Sequence, residues 1–207
     1  MLNEIISVFL QLIVFSLIPF IVYLIRYRKT YPSFWDFIGL KPSTMKANGL
    51  AALTSLIFIL GAIGAIFFNE NIREVMMEPT SMTGKFRAMG FSGSSVTLIL
   101  LTAWIKTGLS EEIFFRGFVA KRLIGLLGYQ KGNLLQAVIF GALHIAIFLA
   151  MPGASILFSL FIFLFSGIGA YISCYLNEKM ANGSIIPGWI SHGLGNTLAY
   201  SIVAFLI

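Results

Sequence analysis

The sequence predicts an all-α polytopic membrane protein, a bundle of about six transmembrane helices with both termini on the outer side. Three observations predict it. Hydrophobic residues make up 58% of the 207-residue chain and charged residues 11%, against about a quarter charged in an ordinary soluble domain. So much apolar surface cannot be hidden in one soluble core, and lipid has to be its solvent. The apolar residues also come in runs of about 20, the length that crosses a bilayer. Finally, the basic residues behind the net charge of +6 stand in short loops between those runs. There they act as topology determinants and are not a nucleic-acid signal.

The first span covers 5–25. Its segment "MLNEIISVFLQLIVFSLIPFIVYLIRYRK" opens with Glu4 and lacks the basic start of a secretory signal. The apolar run stops at Arg26, Arg28 and Lys29, so it is expected to remain as a membrane helix, kinked at Pro19. The loop "RYRKTYPSFWDFIGLKPSTMK" mixes aromatic and basic residues, as an interfacial segment does. A second span covers 48–68, and the polar, Met-bearing loop "NENIREVMMEPTSMTGKFRAMG" is expected to form one short surface helix. A third span, 94–116, should continue as a helix past the membrane face to about Leu126, because no breaker precedes Gly125. Spans four to six cover 132–150, 154–176 and 185–206. There is no internal repeat or soluble segment, so residues 1–207 form a single membrane domain. Its 95–207 part bears the chemistry, and 1–94 supplies two further spans with interfacial loops.

Orientation follows from the loops. With the N-terminus outside, the inner loops hold Arg26, Arg28, Lys29, Lys41, Lys46, Lys121, Arg122, Lys131 and Lys179, and the outer loops hold Arg73, Lys85 and Arg87. Nine against three favours N-out, and an even number of spans puts the C-terminus outside as well. The protein is therefore expected in the cell membrane as a multi-pass protein, with the lipid bilayer as a partner and no role for nucleic acid.

Within this apolar chain "GLSEEIFFRGF" places Glu111, Glu112 and Arg116 inside the third span. A charged side chain at mid-helix costs roughly 2.5–3.5 kcal/mol on insertion scales, so such groups need partners or a purpose. Glu112 and Arg116 are four apart on one face, with the acid N-terminal to the base, the better order for pairing. Glu111 lies about 100° round an α-helix and is not served by that pair. A lone Glu–Arg pair would be a structural device for helix packing. Two further sites alter that reading. In span four "FGALH" sets Phe140 and His144 four apart, and in span six "HGLGN" sets His192 and Asn196 four apart, each pair on one face. These are the only two histidines of the chain. Singly, each would be a hydrogen-bonded core residue, Asn196 would be interhelical glue, and Gly193 and Gly195 would be close-packing positions. Together with Glu111 they make up nearly all the strongly polar groups of these spans.

Depth is an independent check. Glu111 precedes Lys121 by ten residues, His144 follows Lys131 by thirteen, and His192 follows Ser184 by eight. At 1.5 Å per residue these are about 15, 20 and 12 Å from the same inner face. The three spans can bring these groups to one level, around a hydrated cavity reached from the cytoplasm.

No nucleophile stands out, since Ser110 and Ser191 point about 100° away from Glu111 and His192 on their helices. Water is the better candidate. A glutamate in apolar surroundings can serve as a general base on water, with one histidine helping to hold that water. The second histidine and the asparagine can donate to an oxyanion as a carbonyl is attacked. No cofactor is needed. A zinc variant would use Glu111, His144 and His192, the ligand types of an open catalytic site, although there is no HExxH pair.

The ordered trio "EEIFFR" (EExxxR), "FGALH" (FxxxH) and "HGLGN" (HxxxN) resembles the CAAX protease and bacteriocin-processing family, also called the Abi family, which includes the type II CAAX prenyl endopeptidases. The resemblance implies an intramembrane endopeptidase whose site opens to the cytoplasm. Glu111 would be the general base and His144 would share the water. His192 and Asn196 would form the oxyanion hole, with Glu112, Arg116 and Phe140 supporting. The expected partner is a peptide or membrane-protein substrate, small, hydrophobic or membrane-bound, such as a bacteriocin. The short chain departs from the eukaryotic prenyl-protein members, which puts a prenylated substrate in question. Two other classes compete: a non-catalytic immunity or partner-binding membrane protein, and a proton-coupled transporter, against which stands the lack of an inverted repeat.

Cys174 is the only cysteine and lies within an apolar run, so it forms no disulfide within the chain and belongs to no CxxC motif. Thiol alkylation is accordingly expected to leave peptide cleavage intact, measured before and after treatment with a maleimide. Inactivation would place a thiol in the chemistry.

Overall fold

Six of the ten α-helices start on a side chain that the loops supply for the purpose. Ser33, Thr44, Asn69, Ser81, Ser92 and Ser155 each accept a hydrogen bond from a backbone N–H of the first turn of the helix they open. Each such cap is worth about 1 kcal/mol. The structure, a computed structural model, describes residues 2–149 and 151–207, and among these no strand is found.

Helix α1 is Leu2–Val22, running through Pro19 and ending in a π-helical turn, Tyr23–Tyr27. The interfacial segment contains the single turn α2, Phe34–Ile38, closed by Gly39 in the left-handed conformation (φ 80°). A Cβ at Gly39 would run into the Gly183 carbonyl oxygen, so both the turn and the close approach require glycine. Helix α3 is Met45–Phe68. The following loop forms two helices where one was expected, α4 (Glu70–Met77) and α5 (Met82–Met89). The break lies at Pro79, which holds Glu78 in extended backbone, after which Ser81 starts a new helix.

From residue 93 to 127 the chain is one continuous helical rod. It begins as α6 (Gly93–Leu100), widens into π-helix at Leu101–Leu109 and again at Glu112–Ala120, and ends as α7 (Lys121–Leu127). The expected helical continuation to about Leu126 is present. Hydroxyls accompany the widening: Thr107 donates to the Thr102 carbonyl (3.0 Å), and Ser110 to those of Ile105 and Lys106 (2.7 and 2.6 Å). Such bonds compete with the backbone ladder, and π turns are frequent at functional sites. Helix α8 is Tyr129–Phe148, α9 is Ile156–Tyr175 with a π-helical tail Leu176–Met180, and α10 is Ile186–Phe205.

Among the described residues four helices are long and apolar enough to cross a membrane: Leu2–Tyr27, Met45–Phe68, Tyr129–Phe148 and Ile156–Met180. The other two expected spans are also helical, 94–116 throughout and 185–206 over Ile186–Phe205, but are not among them. They are the ones diluted by Lys106, Glu111, Glu112 and Arg116 on the rod and by His192 and Asn196 on α10. Those two more polar helices lie against each other, with α10 also packed on α3 and α5. The apolar α1 is the least enclosed, with 11% of its spanning window buried.

The loops gather at two ends. At one, Ile185 N–H donates to Gly39 O, Ser184 to Lys41 O, Thr44 to Met180 O, and Lys121 pairs with Glu178. Arg122 lies over the Phe37 ring, 3.8 Å from its centroid. At the other end Lys85 pairs with Glu4 (3.1 Å) and Asn71 donates to Gly153 O. The segments assigned by charge to the inner side thus share one end.

Helix α8 is bound to α9 by two fully buried amides. Asn133 donates to the Tyr171 carbonyl and Gln136 to that of Ala170 (3.2 and 3.1 Å), and Gln136 also donates to Asn133 Oδ1. Interhelical hydrogen bonds in membranes are worth about 0.6 kcal/mol on average and up to about 1.7. Gln136→Leu should destabilise the protein by an amount within that range, read as a lowered unfolding midpoint in detergent. An unchanged midpoint would mean that the amides do not hold the helix pair.

Candidate active site

Glu112 and Arg116 form the pair that their spacing predicts. Arg116 Nε lies 3.2 Å from Glu112 Oε1, close enough for strong attraction though not aligned as a hydrogen bond. Their side chains are 3% and 0% exposed, so the pair is removed from water and its attraction is little screened. Space for the carboxylate comes from α10. A Cβ on Gly188 would occupy the position of Glu112 Oε2, and the Gly188 N–H is in turn held by Asn177 Oδ1 at 2.8 Å.

His192 joins the two carboxylates. Its Nδ1 is 3.5 Å from Glu112 Oε1 and its Nε2 is 3.9 Å from Glu111 Oε2. Glu111 has no salt bridge to Arg116, as its place on the helix predicts, but both acids come near one imidazole, supplied by α10. The angle between neighbouring residues on a single helix gives no information about a ring inserted between them from another. A neutral imidazole can donate from one nitrogen only, an imidazolium from both.

His144 is oriented differently. Its Nδ1 lies 2.9 Å from the Phe140 carbonyl oxygen one turn earlier. A carbonyl only accepts, so Nδ1 carries the proton and Nε2 is the nitrogen left for the cavity. Phe140 packs among all these groups. Its ring centroid is 4.1 Å from the Arg116 guanidinium carbon, 4.4 Å from the His144 ring and 6.3 Å from the His192 ring. A guanidinium over an aromatic face is attracted by the ring quadrupole, and this fits the presence of Phe140 four residues before His144.

Asn196, one turn beyond His192, donates from Nδ2 to Thr107 Oγ1 at 2.8 Å. Its second amide hydrogen is not used by that bond. Thr107 was not foreseen, and neither were Lys106, Asn133 and Gln136, which also place strong polar groups inside these spans. The statement that the histidines, Glu111 and Asn196 nearly exhaust that set is corrected accordingly. A plain count of polar residues in the spans finds Lys106, whereas Thr107 is indistinguishable by sequence from any helical threonine. Gly193 is a close-packing position, since a Cβ there would enter the Trp104 ring, and Trp189 Nε1 donates to the Trp104 carbonyl (2.7 Å). Gly195 is not: the nearest atom to its would-be Cβ is on Ser55 at 3.8 Å, and it lines a cavity.

That cavity, about 370 Å³, lies among α3, α8, α9, α10 and the rod, and its wall carries Glu111, Arg116, Phe140, His144, His192 and Asn196. The rest is mostly apolar, with Phe58, Ile59, Phe161 and Phe165 prominent. The structure thus brings every residue singled out from the sequence to one place, Glu112 lying just behind the wall. Among the described residues no group of three His, Cys, Asp or Glu side chains is arranged to hold a metal ion, and His192 is placed between two carboxylates. Cys174 is a buried free thiol.

A family model described as Type II CAAX prenyl endopeptidase Rce1-like matches residues 93–198. This stretch runs from the start of the rod to just past Asn196. No curated protein and no solved structure matches the chain.

If the Glu112–Arg116 pair is what makes the buried cluster tolerable, Arg116→Met should cost about 3–5 kcal/mol by stranding a buried carboxylate. The double change Glu112→Leu with Arg116→Met should recover most of that loss. Unfolding midpoints in detergent measure both, and a double variant as unstable as the single one contradicts the pairing.

Proposed function

This chain belongs to the type II CAAX prenyl endopeptidase Rce1-like family, whose members are intramembrane CAAX-type endopeptidases, and on that premise we propose that it hydrolyses its peptide substrate by a glutamate-activated water. Glu111 takes a proton from water, and the hydroxide so formed attacks the carbonyl carbon of the scissile bond. His144, through its free Nε2, accepts the second hydrogen of that water and fixes its direction. The carbonyl oxygen becomes an oxyanion, stabilised by hydrogen bonds from His192 Nε2–H and from the spare amide hydrogen of Asn196. The carbon–nitrogen bond then breaks, and the proton held by Glu111 passes to the leaving amine nitrogen. The products are one carboxylic acid and one amine. Glu112 and Arg116 are positioning residues: Glu112 packs beside the His192 ring, and Arg116 pairs with Glu112.

The observation that carries this reading is His192 lying between Glu111 and Glu112, with the His144 ring turned to the same cavity by its bond to Phe140 O. The apolar remainder of the chamber suits a hydrophobic or membrane-bound peptide, a bacteriocin or a CAAX-type tail among them. We place the protein in the cell membrane with six spans, N-out and C-out, the rod and α10 crossing as a polar pair inside the apolar helices. The cavity then opens toward the cytoplasm. The gathering of the basic loops at one end supports that orientation.

General bases contribute about 10²–10⁴-fold. Glu111→Gln should lower cleavage of a membrane-peptide substrate by that factor, followed by mass spectrometry, while the variant inserts and elutes like the wild type. Chelator should leave the wild-type rate unchanged. Persisting cleavage in the glutamine variant removes the mechanism, and chelator inhibition reversed by zinc replaces it with the metal version.

A further inference from the structure

A second cavity, about 320 Å³, lies on the other side of the same catalytic wall. It sits among α1, the first π-helical segment of the rod, α5 and α8, and its volume falls in the usual range of small-ligand sites, about 300–1,000 Å³. The two cavities share Thr107, Glu111, His144 and Ile147. Glu111 and His144 therefore stand at a seam, with an apolar chamber on one side and this smaller space on the other.

The second cavity holds one cation, Lys106, whose ammonium makes no hydrogen bond or salt bridge among the described residues. No acid makes a salt bridge with it among the described residues. Glu4 on α1 is held by Lys85 at 3.1 Å, Glu111 faces His192, and Glu112 is paired with Arg116. A lysine within a span costs roughly 2.5–3.5 kcal/mol on insertion scales, and beyond its attraction for Glu4 at a distance no salt bridge uses its charge. The backbone beneath it is fixed, because Gln11 Nε2 donates to the Lys106 carbonyl at 2.8 Å. Gln11 lines the same space.

We infer that Lys106 receives the free C-terminal carboxylate of the substrate, so that the second cavity takes the residues after the scissile bond while the chamber takes the apolar part before it. The inference rests on the peptidase reading above. Lys106 and Glu111 are five residues apart on the rod, about 7–8 Å along its axis, and the lysine side chain adds reach. An extended peptide advances roughly 3.3–3.6 Å per residue, so a carboxylate two or three residues beyond the cut meets the ammonium. A CAAX tail ends within that distance of its cysteine. Arg116 is the other cation at the site, but it is committed to Glu112 and to the Phe140 face and lines the apolar chamber only. Lys106 is thus a specificity residue: it selects substrates that end shortly after the cut.

The test uses one apolar peptide as free acid and as C-terminal amide, with wild type, Lys106→Met and Lys106→Arg. A charge-assisted contact predicts that wild type prefers the acid roughly tenfold or more in kcat/KM. Lys106→Met should bring the two substrates within about twofold of each other, and Lys106→Arg should restore the preference. Equal cleavage of acid and amide by wild type, or a preference that survives in Lys106→Met, overturns the assignment. Titration of the Glu111→Gln protein with acetyl-Val-Leu-Leu, as acid and as amide, separates this inference from the mechanism. Tighter binding of the acid, lost with Lys106→Met, supports the carboxylate site even where no variant cleaves. Equal binding of the two forms refutes it even where Glu111 proves to be the base.

Discussion

The cost of placing ionised side chains in a lipid-solvated bundle governs this structure, and the Glu112–Arg116 pair is where that cost is met. Two unscreened charges 3.2 Å apart attract strongly, but each also needs neighbours that replace water. The fold provides them from two other helices: the Phe140 face of α8 under the guanidinium, and from α10 His192 beside the carboxylate and the space left by Gly188. Once these are in place, Glu111 one residue earlier is brought beside the same imidazole without a basic partner of its own. The acid proposed as the base is thus positioned by its paired neighbour.

That arrangement demands close helix approach, and small residues permit it. Gly188 and Gly193 on α10 and Gly108 on the rod are each places where a Cβ would enter a neighbour. The Trp104–Trp189 edge contact and the Trp189 bond to the Trp104 carbonyl lock the two helices at that distance. Because the polar helices are drawn together at the centre, the apolar ones enclose spaces on both sides of the rod. One is the large chamber among α3, α8, α9 and α10, and the other is the smaller space against α1. The two cavities meet at the wall that carries Thr107, Glu111, His144 and Ile147. An elongated substrate with an apolar part and a charged end suits that plan better than a compact solute.

The π-helical stretches belong to the same account. The rod departs from α-geometry on both sides of Glu111, and hydroxyls of Thr107 and Ser110 bond to carbonyls four or five residues back in the widened turns. Thr107 then offers its oxygen to Asn196 across the interface. The same side chain thus accompanies the local widening and anchors the residue opposite.

Composition and spacing alone determined that the protein is helical and built for a membrane, and roughly where its long apolar helices lie. They also identified the three motif pairs, because an ionisable residue within an apolar run is conspicuous and i,i+4 spacing is a property of one helix. What lay between helices was decided by the tertiary structure. The bridging of Glu111 and Glu112 by His192, the clustering of Arg116 and both imidazoles around Phe140, the bond from Asn196 to Thr107, and the second cavity with Lys106 all depend on how separate helices approach and rotate. The helical period reports which residues share a face; only packing reports which face meets which, since that choice is made by the shapes of glycines, tryptophans and buried amides acting together.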